Sequence, residues 1–345
     1  MPSSRRFLLL ALPLALVGGL WFLNSRRPEP IPLDHSPMAP IAVSADGRFV
    51  ATNKGGAIDI IAVYDRSTRQ TTSFRTSDLP GAWVFLPDNH TLVTAGGARI
   101  SSGSGSGSCP VRVWEATTQT QGLDQAKPLR TFGPQLSSGN GLALSPDGGV
   151  LATGGEEGIL LWDVATGHVI AILTGAGRAP SALAFSSDGK RLVACYQASY
   201  TNAALFDVPA RKLLWKRDLV QSEFSLNVTS CDISPDASVV ALGSPEGRIA
   251  FLNAHDGTTI RIGTMPSNAV GPYSGEATQS VAFSPDGKTL VSGSWHSAAL
   301  WNVSDGSLRH QLEGSGPVTF STGTGRLATG GQPDARNGVI LWRAF

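Results

Sequence analysis

Short apolar runs, each broken by a polar turn, succeed one another along most of the chain. In the clearest stretch Val281, Ala282 and Phe283 lead into Ser284-Pro-Asp-Gly287. Leu290 and Val291 follow, and Ala299, Leu300 and Trp301 then end at Asn302. Apolar runs this short, bounded by Gly, Pro, Asp and Asn, are strand signals. After residue 23 no long apolar pattern recurs at helical spacing. The turn comes back as Ser44-Ala-Asp-Gly47, Leu86-Pro-Asp-Asn89, Ser145-Pro-Asp-Gly148, Ser186-Ser-Asp-Gly189 and Ser234-Pro-Asp-Ala237. A degraded copy is Ser321-Thr-Gly-Thr-Gly325. Pro presets φ, Asp bonds its own downstream backbone, and Gly or Asn accepts positive φ, so each copy predicts a tight turn between two strands.

A third apolar run in each repeat ends in a large ring: Tyr64, Trp114, Trp162, Phe206, Trp301 and Trp342, with Phe251-Leu252 in the fifth repeat. A further polar turn and a fourth short strand follow, as in His168-Val-Ile-Ala-Ile-Leu173. The rings read as core. Seven such units of about 40 residues predict an all-β fold, a seven-bladed β-propeller of four-stranded antiparallel blades spanning residues 30–345.

The Ser-Pro-Asp-Gly turns and Leu-Trp-Asp/Asn strand ends resemble the WD-repeat β-propeller family over nearly the whole chain from about residue 30. There are departures. The family's Gly-His pair is missing, with Glu313-Gly314-Ser315 in its place before the seventh repeat. The usual Asp between second and third strands is replaced by Glu157 and Glu246. The family's buried Asp-His-Ser/Thr-Trp network is therefore expected to be absent.

A ring also has to close. The last repeat stops at its third strand, Val339-Ile-Leu-Trp342. Pro28-Glu-Pro-Ile-Pro-Leu-Asp34 is the natural donor of the missing strand. Its alternate prolines suit an outer edge, where a missing N–H costs nothing. Glu29, Ile31 and Leu33 would then pair with the third strand.

The N-terminus is of another kind. A basic tail (residues 1–6, with Arg5 and Arg6) precedes an uncharged apolar run, residues 7–23, and a linker, 24–29, carrying Arg26 and Arg27. As a helix the run spans about 25 Å, near the low end for a bilayer. It reads as a transmembrane anchor, with a cleaved export signal as the alternative. The basic tail favours a cytoplasmic N-terminus, a single pass and an extracytoplasmic propeller. Cleavage would leave a secreted or periplasmic one.

Lys and Arg number 27 against 26 Asp and Glu, a net charge of +1. With no basic stripe, nucleic-acid binding is not expected. Cys195 and Cys231 fall in strands and read as small buried hydrophobes; Cys109 ends a Gly/Ser loop, residues 100–108. No Cys/His spacing points to zinc, no phosphate loop or nucleophile elbow occurs, and no cofactor is expected. Of the histidines, His90, His168, His255 and His310 fall at turns or outer strands. The anchor aspartates read as turn formers.

The loops between second and third strands all project to one face. Around the ring they carry Lys54, Arg99, Glu156 and Glu157, Tyr196 and Tyr200, Glu246 and Arg248, Trp295 and His296, and Asp334 and Arg336. The long linker 265–276 adds Tyr273. Aromatic and Arg side chains are the usual anchors of protein interfaces. The expected function is a protein-binding scaffold that uses Trp295, His296, Tyr196, Tyr200, Arg99, Arg248, Arg336 and Tyr273. The alternative is an extracytoplasmic small-ligand sensor or enzyme using the central channel. The first strands there carry mainly small or apolar residues, Asp232 excepted.

Overall fold

Five of the seven anchor turns are knots tied around one serine and one carboxylate. Ser44, Ser145, Ser186, Ser234 and Ser284 donate their hydroxyls to Asp46, Asp147, Asp188, Asp236 and Asp286 at 2.5–2.6 Å. The same aspartate oxygens accept the backbone N–H two residues on. The serine oxygens accept the N–H that opens the next strand. These bonds, the serine hydroxyl's first, hold Asp147, Asp188, Asp236 and Asp286 below the usual carboxylate range. Gly148 shows why the turn ends in glycine. Its φ is 75°, and a Cβ there would lie 2.6 Å from Pro87 of the preceding blade's turn. In the degraded seventh turn Thr324 takes the aspartate's place beside Ser321, 2.5 Å away.

The computed structural model describes residues 28–33, 40–54, 57–76, 78–95, 98–99, 110–116, 126–133, 141–155, 158–197, 201–219, 227–266, 278–295, 297–312, 315–330 and 338–343. They form seven four-stranded antiparallel sheets. Blade one comprises Ala42–Val43, Phe49–Lys54, Ala57–Asp65 and Gln70–Arg75. Blade two comprises Ala82–Phe85, Thr91–Ala95, Arg112–Glu115 and Arg130–Thr131. Blade three comprises Leu142–Leu144, Val150–Gly154, Ile159–Asp163 and Val169–Leu173; blade four, Ala182–Phe185, Arg191–Cys195, Ala203–Asp207 and Lys212–Arg217. Blade five comprises Ser230–Ile233, Val239–Gly243, Arg248–Asn253 and Thr259–Thr264; blade six, Ser280–Phe283, Thr289–Gly293, Ala298–Asn302 and Leu308–Leu312. Blade seven comprises Ser315–Phe320, Leu327–Gly330 and Val339–Trp342. The first strands of successive blades touch in an unbroken cycle, so they surround the central channel.

Glu29–Ile31 is the fourth strand of blade seven. It pairs antiparallel with Val339–Trp342, Glu29 opposite Leu341 and Ile31 opposite Val339. Pro30 thus sits in an outer edge strand, where the ladder needs no further donor. Leu33 lies beyond the strand but is as buried as Ile31, both 2% exposed. Glu29 also reaches blade one, pairing with Arg66 at 2.5 Å.

The apolar core is divided among the seams. Seven clusters of buried residues each join two neighbouring blades; blades seven and one share Ile31, Leu33, Ala328, Val339 and Leu341 with Ile41, Val50, Ala62 and Tyr64. The rim adds a repeated staple from the outer strands of blades two, four and five to the next blade. Arg217 donates to Asp256 O, Arg261 to Asp305 O, Arg130 to Val164 O and Ala165 O, and the Trp215 indole to Ala254 O.

The expected loss of the buried tryptophan network is half corrected. Trp114, Trp162, Trp301 and Trp342 donate their indole N–H to Thr94, Thr153, Ser292 and Thr329, at 2.7–3.1 Å. Where Phe or Leu stands in place of the Trp, in blades four and five, the partner position changes too, while Thr52 stays diagonal to Tyr64 in blade one. Phe206 lies diagonally from Ala194, and Leu252 from Leu242. A buried indole needs an acceptor; an apolar side chain does not. A second addition is a two-stranded ribbon, Asp78–Leu79 with Ala98–Arg99, beside blade two. The apolar run 7–23 and the loop 100–108 lie outside the described residues. Among the described residues no helix is long and apolar enough to cross a membrane.

Removing one hydroxyl tests this pairing. Ser292→Ala strands the Trp301 N–H and lowers unfolding free energy by about 1–3 kcal/mol in urea titrations. In a Trp301→Phe background the same change costs much less. Equal costs in both backgrounds would contradict the pairing.

Candidate functional site

The links entering the first strands and the loops leaving the second strands share one end of the channel. There, a polar cavity of about 510 Å³ opens between blades two, four, five and six. Its polar lining includes Ser181, Gln197, Thr229, Ser230, Gln279 and Ser280. The size falls within the range of ligand pockets. Among the described residues no charged side chain lines it.

The strand ends at this mouth are laced by hydroxyls. Ser181 donates to Val228 O of blade five at 2.7 Å, and Thr229 donates to Thr278 O of blade six. Ser280 accepts the Val318 N–H of blade seven at 2.6 Å. Ser230, 6% exposed, has a hydroxyl with no hydrogen-bond partner.

Asp232 sits two residues further along the same strand. In the equivalent position four of the other blades place alanine, Ala42, Ala143, Ala184 and Ala282. Its Oδ1 accepts the Ile233 N–H at 2.8 Å and its Oδ2 accepts the Phe283 N–H of blade six at 2.7 Å. The carboxylate therefore ties two inner strands together. The residue as a whole is half-buried, but its carboxyl is shielded from bulk water. Burial raises its pKa to about 7 against the pull of the two N–H donors.

The residues singled out in the sequence divide sharply. Trp295 is half-buried at the tip of a turn that hydrogen bonds fix. Ser294 N–H donates to Ser297 O at 2.8 Å, Ser297 N–H donates to Ser294 Oγ at 3.1 Å, and Gly316 N–H donates to Ser294 O at 2.5 Å. Arg248 opens the third strand of blade five and is half-buried. Arg99 lies in the short ribbon beside blade two. His296, Tyr200, Tyr273 and Arg336 lie outside the described residues.

Tyr196 is a correction. It does not stand on the loop face but is 1% exposed in the seam between blades three and four, its ring lying over Gly177. The ladder continues past Cys195, with Tyr196 N–H bonded to Asn202 O, and this draws the ring inward. Its hydroxyl has no hydrogen-bond partner, and burial lifts its pKa well above the usual phenol range. The cavity-lining serines, threonine and glutamines were not singled out. Their signal was present, since Ser181, Thr229 and Gln279 each stand just before a first strand. His90, His168, His255 and His310 are exposed, as their turn or edge positions implied. Among the described residues no group of three His, Cys, Asp or Glu is placed to hold a metal.

A family description, WD domain, G-beta repeat, matches residues 270–302, the first three strands of blade six with the linker before them. With the seven-bladed architecture, this supports a WD-repeat β-propeller. The chain is also 27% identical over 127 residues to autophagy-related protein 16 of Arabidopsis thaliana. That stretch covers 36% of this chain and 25% of the relative. The likeness thus spans a quarter of the relative's length. WD40 propellers generally act as protein-binding scaffolds without catalysis.

The raised pKa of Asp232 has a definite sign. Between about pH 4, the usual unfolded value, and about pH 7, the folded chain holds a proton that the unfolded chain has lost. This contribution to stability is full below about pH 4 and is lost as pH rises through 7. Asp232→Asn removes the titration. Its stability relative to the parent should rise by roughly 1–3 kcal/mol between pH 5 and pH 8, measured by urea unfolding at both. A pH-independent difference would show that Asp232 ionises normally in the fold.

Proposed function

We propose that this propeller is a protein-binding scaffold held at a membrane by residues 7–23, with the propeller on the extracytoplasmic side. Its partner is a protein that docks on the face where the channel mouth opens. The observation that carries the reading is the pinned turn at residues 294–297. It presents a large aromatic side chain on a loop held by hydrogen bonds from two blades. A preformed aromatic anchor loses little conformational freedom on binding, which is what an interface core requires. Arg248 and the ribbon carrying Arg99 extend the face on either side. His296, Tyr200, Tyr273 and Arg336 complete it in this proposal. A second reading has its own support: the cavity and the unpartnered Ser230 hydroxyl suit a small uncharged ligand in the channel.

In-cell crosslinking of the tagged chain, with mass spectrometry of what is captured, separates the two. Trp295→Ala should weaken capture by about 2 kcal/mol, roughly 30-fold, with little change in melting temperature. A partner retained at full strength would reject this face. If the parent captures no specific protein, the channel-ligand reading takes precedence.

A further inference from the structure

Two thiols meet in the seam between blades four and five. Cys195 ends the second strand of blade four, Cys231 lies in the first strand of blade five, and those strands are neighbours. Each thiol points across the seam. Cys195 Sγ lies 3.9 Å from Val228 O, and Cys231 donates to Ala182 O at 3.5 Å. Ala182 is the residue paired with Cys195 in the blade-four ladder, so the two sulfurs stand at one level. They share one apolar cluster. Both are free thiols in the structure.

Access distinguishes them. Cys231 lines the cavity at the channel mouth, whereas Cys195 lies behind it and is 0% exposed. The cavity gives a small oxidant a route to one member of the pair and not to the other. Ser181 Oγ lies 3.4 Å from Cys195 Sγ and, with its own proton given to Val228 O, is placed to accept a hydrogen bond from the Cys195 thiol.

We propose that Cys195 and Cys231 form a convertible dithiol, oxidised by a small-molecule disulfide through the channel mouth to a covalent link between blades four and five. The Cys231 thiolate attacks one sulfur of the oxidant RSSR, forming a mixed disulfide in the cavity and expelling RS⁻. The Cys195 thiolate then attacks Cys231 Sγ. That step forms the Cys195–Cys231 bond and expels the second RS⁻. The two cysteine protons end on the two released thiolates, so the cysteines are oxidised and the small disulfide is reduced to two thiols. Burial holds the Cys231 thiol well above its ordinary pKa, so little thiolate is present at neutral pH and the first step becomes faster as pH rises.

The test uses the full chain carrying Cys109→Ser, incubated with 2-hydroxyethyl disulfide, quenched by alkylation and mapped without reduction. The parent should lose both remaining free thiols, retain no hydroxyethylthio group, and yield one linked peptide pair containing positions 195 and 231. With Cys195→Ala added, Cys231 should keep the hydroxyethylthio adduct. With Cys231→Ala added, Cys195 should stay a free thiol. Circular dichroism before oxidation confirms that each chain is folded, and the parent alone decides if a variant is not. Free thiols surviving in the folded parent, or adducts on both cysteines without a link, would overturn the proposal.

Discussion

No blade of this ring has a core of its own. Each sheet buries its apolar faces only against its two neighbours, and every cluster of buried residues spans a seam. A linear stack would leave two such faces in water. A closed ring leaves none, and that makes the seam between blades seven and one the condition for the other six. The chain meets the condition with residues far apart in sequence. Ile31 and Leu33 are buried beside Val339 and Leu341, while Glu29 reaches Arg66 of blade one. Hydrophobic burial is the main favourable term, but it acts here only after closure.

Much of this was legible in the residues because each repeat solves the same local problem. The anchor turns announce themselves because in five of the seven one serine and one aspartate satisfy the same hydrogen bonds. Even the stacking of Gly148 on Pro87 uses residues that the turn already required. Closure by residues 29–31 was legible from the missing fourth strand and from the alternating prolines. The indole–hydroxyl pairs were legible in principle but were missed. The signal was a Thr or Ser two places beyond the residue facing each Trp, giving way to Ala194 and Leu242 where the ring is Phe or Leu. Reading the family's four-member network as kept or lost as a whole hid the fact that its inner half stands alone.

The face was less legible. Counting residues past a strand placed Tyr196 in a loop, but one more ladder bond turned it into the core. The cavity at the channel mouth arises from segments that meet only in the closed ring. Asp232 stood out in the sequence as the one charge among the small and apolar residues of the first strands. Its role as a tie between blades five and six depended on Phe283, fifty-one residues away. Contacts of that kind follow from blade geometry and leave little trace in local spacing.

Closure is therefore the claim to test first. The direct measurement is hydrogen exchange, with a melting curve, on a chain from which residues 28–33 have been removed. Loss of the fourth strand should unprotect the amides of Val339–Trp342 and of the blade-one strands facing them, and lower the melting temperature of the whole ring. Unchanged protection at that seam and an unchanged melting curve would contradict it.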